Sequence, residues 1–238
     1  MPSATIKERS ENDRKNIAFY NEIAANYDTI LDENNSNEIV RKRVKEKFIS
    51  IVDGRRVLDF GGGTGRDLEW LVNNKYEVIF CEPSEEMRKK AINQYKNNTL
   101  TNHITFLEND KADFTNWHVE PPVPIKVDAI LSDFAVINCI ADIDLLFKNL
   151  ALIIKPGGHI IALMLNNEYK KTWRWKLCEF FRYFFSRKPV MKNIQYKEYH
   201  QTVYVYSPKN IKKASAVYFD MPGKEALFEF ILIHFIRK

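Results

Sequence analysis

Between residues 55 and 165, short apolar runs alternate with amphipathic stretches, and this alternation constrains the fold more than any other feature of the sequence. An alternation of strands and helices is typical of a parallel sheet that helices cover on both faces. The apolar runs are nearly continuous, as expected of strands buried on both sides. The predicted strands are residues 56–60, 76–81, 104–107, 127–132 and 159–165. The predicted helices between them are residues 64–74, 84–95 and 143–154.

The segments outside this alternation predict helices before it and a hairpin after it. Apolar residues at helical spacing predict two helices within the first 53 residues. Residues 199–206 are rich in Tyr and Val and predict a strand, and Ser207-Pro208 predicts the start of a short helix. Residues 216–219 and 226–236 are interpreted as the two strands of a hairpin that turns around residues 221–224.

The composition narrows the class of protein. The chain has 238 residues, of which 45% are hydrophobic and 28% are charged, and this suits one ordinary domain with a sizeable core. The three cysteines, Cys81, Cys139 and Cys178, lie far apart, so we expect neither a disulfide framework nor a zinc site. The N-terminus has no apolar signal-peptide core, and no apolar run is long enough to span a membrane. We therefore expect a soluble, cytoplasmic protein.

The net charge of +5 is unevenly distributed along the chain. Between Tyr169 and Lys213 there are twelve basic and two acidic residues, so the rest of the chain is mildly acidic. Within this part, residues 169–188 interleave Trp and Phe with Arg and Lys. Three interpretations stay open for this segment. It is a cap helix with a solvated basic face, a pocket for a hydrophobic or anionic acceptor, or a peripheral contact with a membrane surface or RNA.

A glycine-rich turn, VLDFGGGTG at residues 57–65, follows the first predicted strand. Ligands bind at the carboxyl ends of strands in open α/β sheets, and glycines let a ligand approach the backbone closely. A dinucleotide fingerprint would need glycine where the chain has Arg66, and the Gly-Lys-Ser/Thr of a phosphate-binding loop is missing from this turn. The spacing instead fits acid-x-Gly-x-Gly-x-Gly, formed by Asp59, Gly61, Gly63 and Gly65.

With this motif the sequence resembles the class I S-adenosylmethionine-dependent methyltransferases, whose first motif has this form. Further segments between Tyr20 and Leu165 resemble the family in their order and spacing, among them ANYD at residues 25–28 and KPGG at residues 155–158. The resemblance implies a Rossmann-like α/β fold: a seven-stranded, mostly parallel sheet with an antiparallel C-terminal hairpin, helices on both faces and a small substrate cap. It also implies a single domain. Its expected parts are N-terminal helices in residues 1–53, a cofactor-binding core in 54–166, a cap insertion in 167–206, and a closing helix and hairpin in 207–238.

The resemblance further implies S-adenosylmethionine as the cofactor, S-adenosylhomocysteine as its product, and roles for individual residues. Glu82 would accept the ribose hydroxyls, the residues after it would pack on adenine, and Asp110 with the N–H of Lys111 would contact the adenine edge. The fourth motif would lie beneath the methyl donor, and an N-terminal helix would close over the cofactor. The implied cofactor-binding residues are Tyr20, Tyr27, Asp59, Gly61, Gly62, Gly63, Thr64, Gly65, Glu82, Pro83, Met87, Asp110, Lys111, Ser132 and Phe134.

Several of these positions have alternative interpretations. Asp113 is close enough in sequence to compete with Asp110. Tyr20 and Tyr27 are at helical spacing and could belong to the core instead. Asp133 occupies a position where many members of the family carry an uncharged residue. It could contact the acceptor, contact the cofactor or cap a helix.

The expected function is transfer of a methyl group from S-adenosylmethionine to an O, N or C atom of a small hydrophobic or anionic molecule. The fourth motif reads SDFA at residues 132–135, without the Pro-Pro pair of adenine-type nucleic-acid methyltransferases, so we do not expect a nucleic-acid acceptor. His200 and Tyr204 are the candidates for a catalytic base, and no metal is expected. The alternative is a binding module that keeps the cofactor fold and acts on a membrane or RNA through its basic aromatic segment. The oligomeric state stays open.

Overall fold

The computed structural model of the chain describes residues 6–96, 98–166 and 189–238, apart from the side chains of residues 6–10 and 109. The aromatic and basic residues 169–188, for which we expected a cap, lie outside the described residues, and so does Cys178. Among the described helices, none combines the length and the apolar character needed to cross a bilayer.

A seven-stranded sheet forms the centre of the described structure. Its strands are β1 Arg56–Phe60, β2 Glu77–Cys81, β3 Ile104–Phe106, β4 Val127–Ser132, β5 Ile154–Leu165, β8 Phe219–Leu227 and β9 Phe230–Arg237. They lie in the order β3-β2-β1-β4-β5-β9-β8, in which the first five are parallel, whereas β9 pairs antiparallel with β5 and β8 pairs antiparallel with β9. This confirms the expected mostly parallel sheet with an antiparallel C-terminal hairpin.

Helices connect these strands, and side-chain caps fix where several of them begin. Ser84 accepts a hydrogen bond from the backbone N–H of Met87, and Asp142 accepts one from Leu145. Ser207 caps a helix whose first residue is Pro208, where a missing N–H costs nothing. The helices are α1 Ile6–Ile23, α2 Tyr27–Asp32, α3 Asn35–Ile51, α4 Leu68–Asn73, α5 Glu85–Tyr95, α6 Asn109–Ala112, α7 Ile143–Ile153 and α8 Pro208–Ser215.

The hydrophobic core consists of two clusters, one on each face of the sheet, because side chains of a strand alternate between the faces. Along β1, Leu58 and Phe60 belong to one cluster, whereas Val57 belongs to the other. The first cluster includes side chains of α7 and α8, and the second includes side chains of α3, α4 and α5. Helices therefore cover both faces, as expected, and the ends of the strands are left as the place for a site.

A separate two-stranded ribbon packs against α1, and it is formed by β6 Val190–Tyr196 and β7 Tyr199–Val205. Strand β7 agrees with the strand predicted for residues 199–206. A hydrogen bond from the N–H of Thr202 to Oδ1 of Asn16, at 3.3 Å, joins the ribbon to the helix. The described part of the expected cap insertion is therefore this ribbon.

The C-terminal hairpin and the first helix after the glycine turn differ from the prediction. The C-terminal hairpin does not turn at residues 221–224, since β8 continues through them with a bulge between Asp220 and Gly223. Pro222 is tolerated there because β8 lies at the edge of the sheet, where a missing N–H leaves no partner unpaired. The turn follows Leu227 instead, with Phe228 at φ 51°. In addition, the helix predicted from residue 64 begins only at Leu68, because the glycine turn extends to that point.

Candidate functional site

The glycine turn leaves β1 at its carboxyl end and passes close to the end of β2. The N–H of Gly61 donates to the carbonyl of Cys81 at 2.8 Å, and Gly61 has φ +77°. A Cβ at this position would lie 2.4 Å from Cγ1 of Val136, so only glycine fits both the backbone conformation and the space. The turn is therefore held by packing and by backbone hydrogen bonds.

Gly63, two residues further on, faces open space. It has φ +59°, and the nearest described atom to a Cβ placed there would be Cε1 of Tyr27, at 3.7 Å. Gly63 and Tyr27 both line a cavity of about 980 Å³, and this volume lies at the upper end of the range for ligand pockets. A side chain at position 63 would thus occupy the cavity without clashing with the protein.

Glu82, at the end of β2, is buried and lines the same cavity. One carboxylate oxygen accepts a hydrogen bond from the N–H of Gly63 at 2.9 Å, and the other accepts one from the N–H of Ser84 at 2.8 Å. Burial raises the pKa of Glu82 to about 7, although the two N–H groups and the charge of Arg88 act in the opposite direction. Each oxygen keeps a lone pair, so the carboxylate can accept two further hydrogen bonds from one ligand.

The structure brings nine of the fifteen predicted cofactor residues to the cavity wall, and these are Tyr20, Tyr27, Gly61, Gly63, Glu82, Pro83, Met87, Asp110 and Phe134. The other six do not line the cavity formed by the described residues, and these are Asp59, Gly62, Thr64, Gly65, Lys111 and Ser132.

Two of those six have a supporting position beneath the site. The hydroxyl of Thr64 donates to Oδ1 of Asp28 at 2.6 Å and so ties the turn to α2. Asp59 is buried within β1, and its Oδ2 has no hydrogen-bond partner among the described residues. Burial, followed by the nearby charges of Asp67 and Asp133, raises the pKa of Asp59 above its usual range.

The candidates for the adenine edge occupy different environments. The side chain of Asp113 accepts hydrogen bonds from the N–H of Thr115 at 2.9 Å and from its hydroxyl at 2.7 Å, so it caps a short 3₁₀ turn. Asp110 is exposed and also lines the cavity. Because the carboxylate of Asp113 is engaged in the cap, the geometry favours Asp110 for contact with a ligand.

Helix α1 covers the cavity through polar contacts that the sequence did not reveal. Asn12 and Asn16 both donate to the carbonyl of Cys139, at 3.3 and 2.8 Å. Gln201 of β7 donates to the hydroxyl of Tyr20 at 2.8 Å and to Sγ of Cys139 at 3.0 Å. The only signal of this contact in the sequence is the pair of asparagines one helical turn apart.

The fourth motif forms a strained turn directly after β4. Phe134 and Ala135 have φ 48° and 65°, a left-handed conformation that is unfavourable for residues with a Cβ. The ring of Phe134 lies against Phe230, with centroids 5.5 Å apart, and Arg41 lies over the same ring at 4.4 Å. Strain of this kind, held in place by packing, is frequent at functional sites.

Neither candidate base reaches the cavity that the described residues form. His200 is exposed on β7, where it pairs with Gln195 of β6. Tyr204 stacks on Tyr206 with ring centroids 6.2 Å apart, and its carbonyl accepts a hydrogen bond from Asn138 at 2.7 Å. The structure therefore offers no support for either residue as a base, because strand β7 directs them elsewhere.

Comparison with known proteins gives one family and several relatives. The model of a family described as "Methyltransferase domain" matches residues 18–216. The ubiquinone/menaquinone biosynthesis C-methyltransferase UbiE of Pseudomonas paraeruginosa is 26% identical over 190 residues, which cover 76% of this chain and 69% of the relative. The tRNA 5-carboxymethoxyuridine methyltransferase of Escherichia coli is 30% identical over 114 residues, which cover 48% of this chain and 41% of that protein.

Solved structures resemble the fold. The DhpI-SAM-HEP complex has a TM-score of 0.69 and 14% identity, with 95% of this chain and 98% of that chain covered. A putative S-adenosylmethionine-dependent methyltransferase from Listeria monocytogenes has a TM-score of 0.60 and 14% identity, with 82% of this chain and 98% of that chain covered. At these identities the structures show a shared fold.

Proposed function

Because this chain belongs to the methyltransferase domain family and is an S-adenosylmethionine-dependent methyltransferase, we propose that it methylates a small molecule bound in the cavity beside Gly63 and Glu82. The observation that carries the proposal is the combination of a buried carboxylate and an open glycine backbone on one cavity wall.

The residues present suit the cofactor. Glu82 can accept both hydroxyls of a ribose, the open backbone at Gly63 leaves room for the carboxylate end, and Met87 gives an apolar wall for a base. Bound S-adenosylmethionine supplies a methyl group on a positively charged sulfonium, which is already activated for transfer to a lone pair. What the chain must add is orientation and the exclusion of water, and orientation alone is worth roughly 7–11 kcal/mol.

The shape of the site favours a small acceptor. Helix α1 and the turn at Val136–Cys139 close over the cavity, and several lining side chains are apolar. A cavity of about 980 Å³ holds the cofactor and a small molecule together, whereas an extended polymer would have to enter beneath α1. The alternative role, as a binding module for a membrane or RNA, depends on residues 169–188, which lie outside the described part of the chain.

The cofactor site is tested with two glycine substitutions that share a backbone conformation. Gly63 and Gly157 both have positive φ, at +59° and +76°, and neither has an obstacle to a Cβ within 3.5 Å, but only Gly63 lines the cavity. We expect Gly63→Val to weaken binding of S-adenosylmethionine and S-adenosylhomocysteine by at least tenfold in calorimetry, and Gly157→Val to leave both unchanged. Equal affinities in the two variants would overturn this placement of the cofactor.

The acceptor class is tested with methyl-labelled S-adenosylmethionine. The purified protein is incubated with a panel of small amines, alcohols, phenols and carboxylates, and in parallel with total bacterial tRNA. We expect label in a small-molecule fraction and none in tRNA. Label confined to tRNA would contradict the proposal.

A further inference from the structure

Asp133 has an unsatisfied carboxylate oxygen at the cavity. The residue is 7% exposed and lines the cavity directly after the end of β4. Its Oδ1 accepts a hydrogen bond from the N–H of Phe134 at 2.9 Å, but Oδ2 has no hydrogen-bond partner among the described residues. A buried carboxylate oxygen without a partner costs free energy, and Asp133 is the residue with such an atom among the described ones that also lines the cavity, where a ligand group can reach it.

The charged and titratable groups around Asp133 come from several elements. Arg41 of α3 lies 3.7 Å from Oδ2, too far for a hydrogen bond, because it is held by both oxygens of Asp67 at 3.0 and 3.1 Å. Asp59 of β1 and Tyr27 of α2 also act on this group electrostatically. Arg41 is therefore mainly the partner of Asp67, which leaves Asp133 as the less compensated carboxylate.

The described lining residues as a whole are acidic. They include five carboxylic acids, Asp13, Glu82, Asp110, Asp113 and Asp133, and one guanidinium, Arg14. Such a lining raises the local concentration of cations and repels anions. Aromatic rings also line the cavity, among them Tyr20, Tyr27 and Phe60, and such rings attract an ammonium group. This argues against the anionic acceptor that the basic segment of the sequence suggested.

Building on the proposed function, we propose that the acceptor is a small primary or secondary amine, and that Oδ2 of Asp133 binds its ammonium group and takes its proton. Loss of one N–H proton to Asp133 frees the nitrogen lone pair, which forms the new bond to the methyl carbon. The carbon–sulfur bond breaks as the new bond forms, and its electron pair stays on sulfur in S-adenosylhomocysteine. The product is a methylated ammonium ion, and Asp133 passes its proton to water.

Burial, followed by the charge of Asp67, raises the pKa of Asp133 to about 7, while Arg41 and the N–H of Phe134 act in the opposite direction. A base with a pKa near the working pH is ionised often enough to accept a proton and still releases it afterwards. We therefore expect the methylation rate to rise with pH up to about 7.5 and then to level off.

The experiment uses Asp133→Asn, with Asp113→Asn as the control. Both aspartates line the cavity, but both oxygens of Asp113 accept hydrogen bonds from Thr115 and Asn116 of its own 3₁₀ turn, and an asparagine keeps the bonds to Oδ1. Phenethylamine, tryptamine and spermidine are compared with 2-phenylethanol and 3-phenylpropanoate as acceptors of labelled methyl groups. We expect label on an amine only, a loss of about 100-fold at pH 7 in Asp133→Asn, and a loss below threefold in Asp113→Asn after correction for the folded fraction.

The pH profile separates a proton acceptor from a merely structural residue. Without the carboxylate, only amine that is already neutral can react, so we expect the rate of Asp133→Asn to keep rising about tenfold per pH unit between pH 7 and 9. Equal losses in the two aspartate variants, or parallel pH profiles, would overturn the role of Asp133. Methylation of the alcohol or the carboxylate, or of no amine, would overturn the acceptor class. Calorimetry distinguishes this from failure of the proposed function, since both variants should bind S-adenosylmethionine within threefold of the wild type.

Discussion

The two sides of the cavity are built in different ways. On one side the glycine turn is held by backbone hydrogen bonds and by a carboxylate only 19 residues away in sequence. On the other side α1 is held by side chains that contact residues 63 to 186 positions away. The first wall forms with the sheet, whereas the second depends on side-chain contacts of α1, both its amide hydrogen bonds and the apolar cluster in which Phe19 and Ile23 pack with Met87. This difference suits a site that must keep its cofactor geometry and still admit an acceptor.

The largest expected effect is that of Gly61→Val, in the glycine turn that forms the first side of the cavity. The new side chain would require a left-handed backbone conformation and would overlap Val136, whose Cγ1 lies 2.4 Å from the added Cβ. Conformational strain and overpacking together predict a loss of at least about 3 kcal/mol in the free energy of unfolding. Urea denaturation followed by circular dichroism measures this value.

Gly223→Val is the control for Gly61→Val. Gly223 lies in the edge strand β8, and no described atom lies within 4 Å of a Cβ placed there. We expect a change below about 0.5 kcal/mol, the usual size for surface substitutions. If Gly61→Val were as stable as this control, the turn would be less constrained than its packing indicates.

Glu82→Gln is expected to have the next largest effect, on cofactor affinity. A glutamine can accept only one of the N–H groups of Gly63 and Ser84, and its NH₂ group opposes the other. Hydrogen bonds to a charged group are worth roughly 1.5–3 kcal/mol, so we expect S-adenosylmethionine to bind about 10- to 100-fold more weakly in calorimetry. Glu85→Gln, an exposed carboxylate three positions along the chain, should bind as the wild type does.

The raised pKa of Glu82 predicts pH effects of opposite sign on binding and on stability. Between the usual carboxyl pKa of 4.5 and the folded value of about 7, the folded protein retains a proton that the unfolded chain has released. The contribution of Glu82 to stability is therefore lost as pH rises through this window, and Asp133 adds a loss of the same sign. Affinity for S-adenosylmethionine should instead rise between pH 6 and 8, as the carboxylate ionises. Glu82→Gln should flatten both trends, and an unchanged pH dependence in this variant would contradict the assignment.

The side of the cavity formed by the glycine turn could be predicted from the sequence, because its packing and backbone conformation require glycine at fixed positions. The close approach of Gly61 to Val136 permits only glycine, and the spacing of Asp59, Gly61, Gly63 and Gly65 follows from the turn itself. The same holds for the sheet, because strands buried on both faces must be apolar along their whole length.

The side of the cavity covered by helix α1 could not be predicted in this way. The contact between Asn16 and Cys139 joins residues 123 positions apart, and an asparagine on a helix is usually a surface residue. The direction of Tyr204 and the environment of Asp133 likewise depend on tertiary packing. The sequence therefore indicated the cofactor side in detail and left the acceptor side open.

A smaller effect is expected for Asn16→Ala, in helix α1, which covers the cavity. The Nδ2 group of Asn16 donates to the carbonyl of Cys139 at 2.8 Å, and its Oδ1 accepts the N–H of Thr202 at 3.3 Å. Its removal takes this acceptor from the N–H of Thr202 and leaves the carbonyl of Cys139 with only the 3.3 Å bond from Asn12, at a cost of about 2 kcal/mol. We expect a lower unfolding free energy and faster limited proteolysis of the β6–β7 ribbon. Asn193→Ala, an exposed asparagine in the same ribbon, is the control and should change neither measurement.

The smallest effect is expected for the ion pair between Lys197 and Glu22, which also joins the ribbon to α1. Lys197 is exposed, and charges in water gain little from pairing because solvent and salt screen them. Lys197→Ala should therefore leave the urea midpoint and the proteolysis rate unchanged in 150 mM salt, although the pair spans the same two elements as Asn16 and Thr202. If Lys197→Ala opened the ribbon as readily as Asn16→Ala does, electrostatic attraction would hold the cover. In that case the ion pair, and not the buried hydrogen bonds of Asn16, would hold the ribbon to α1. The two sides of the cavity would then differ in charge instead of burial.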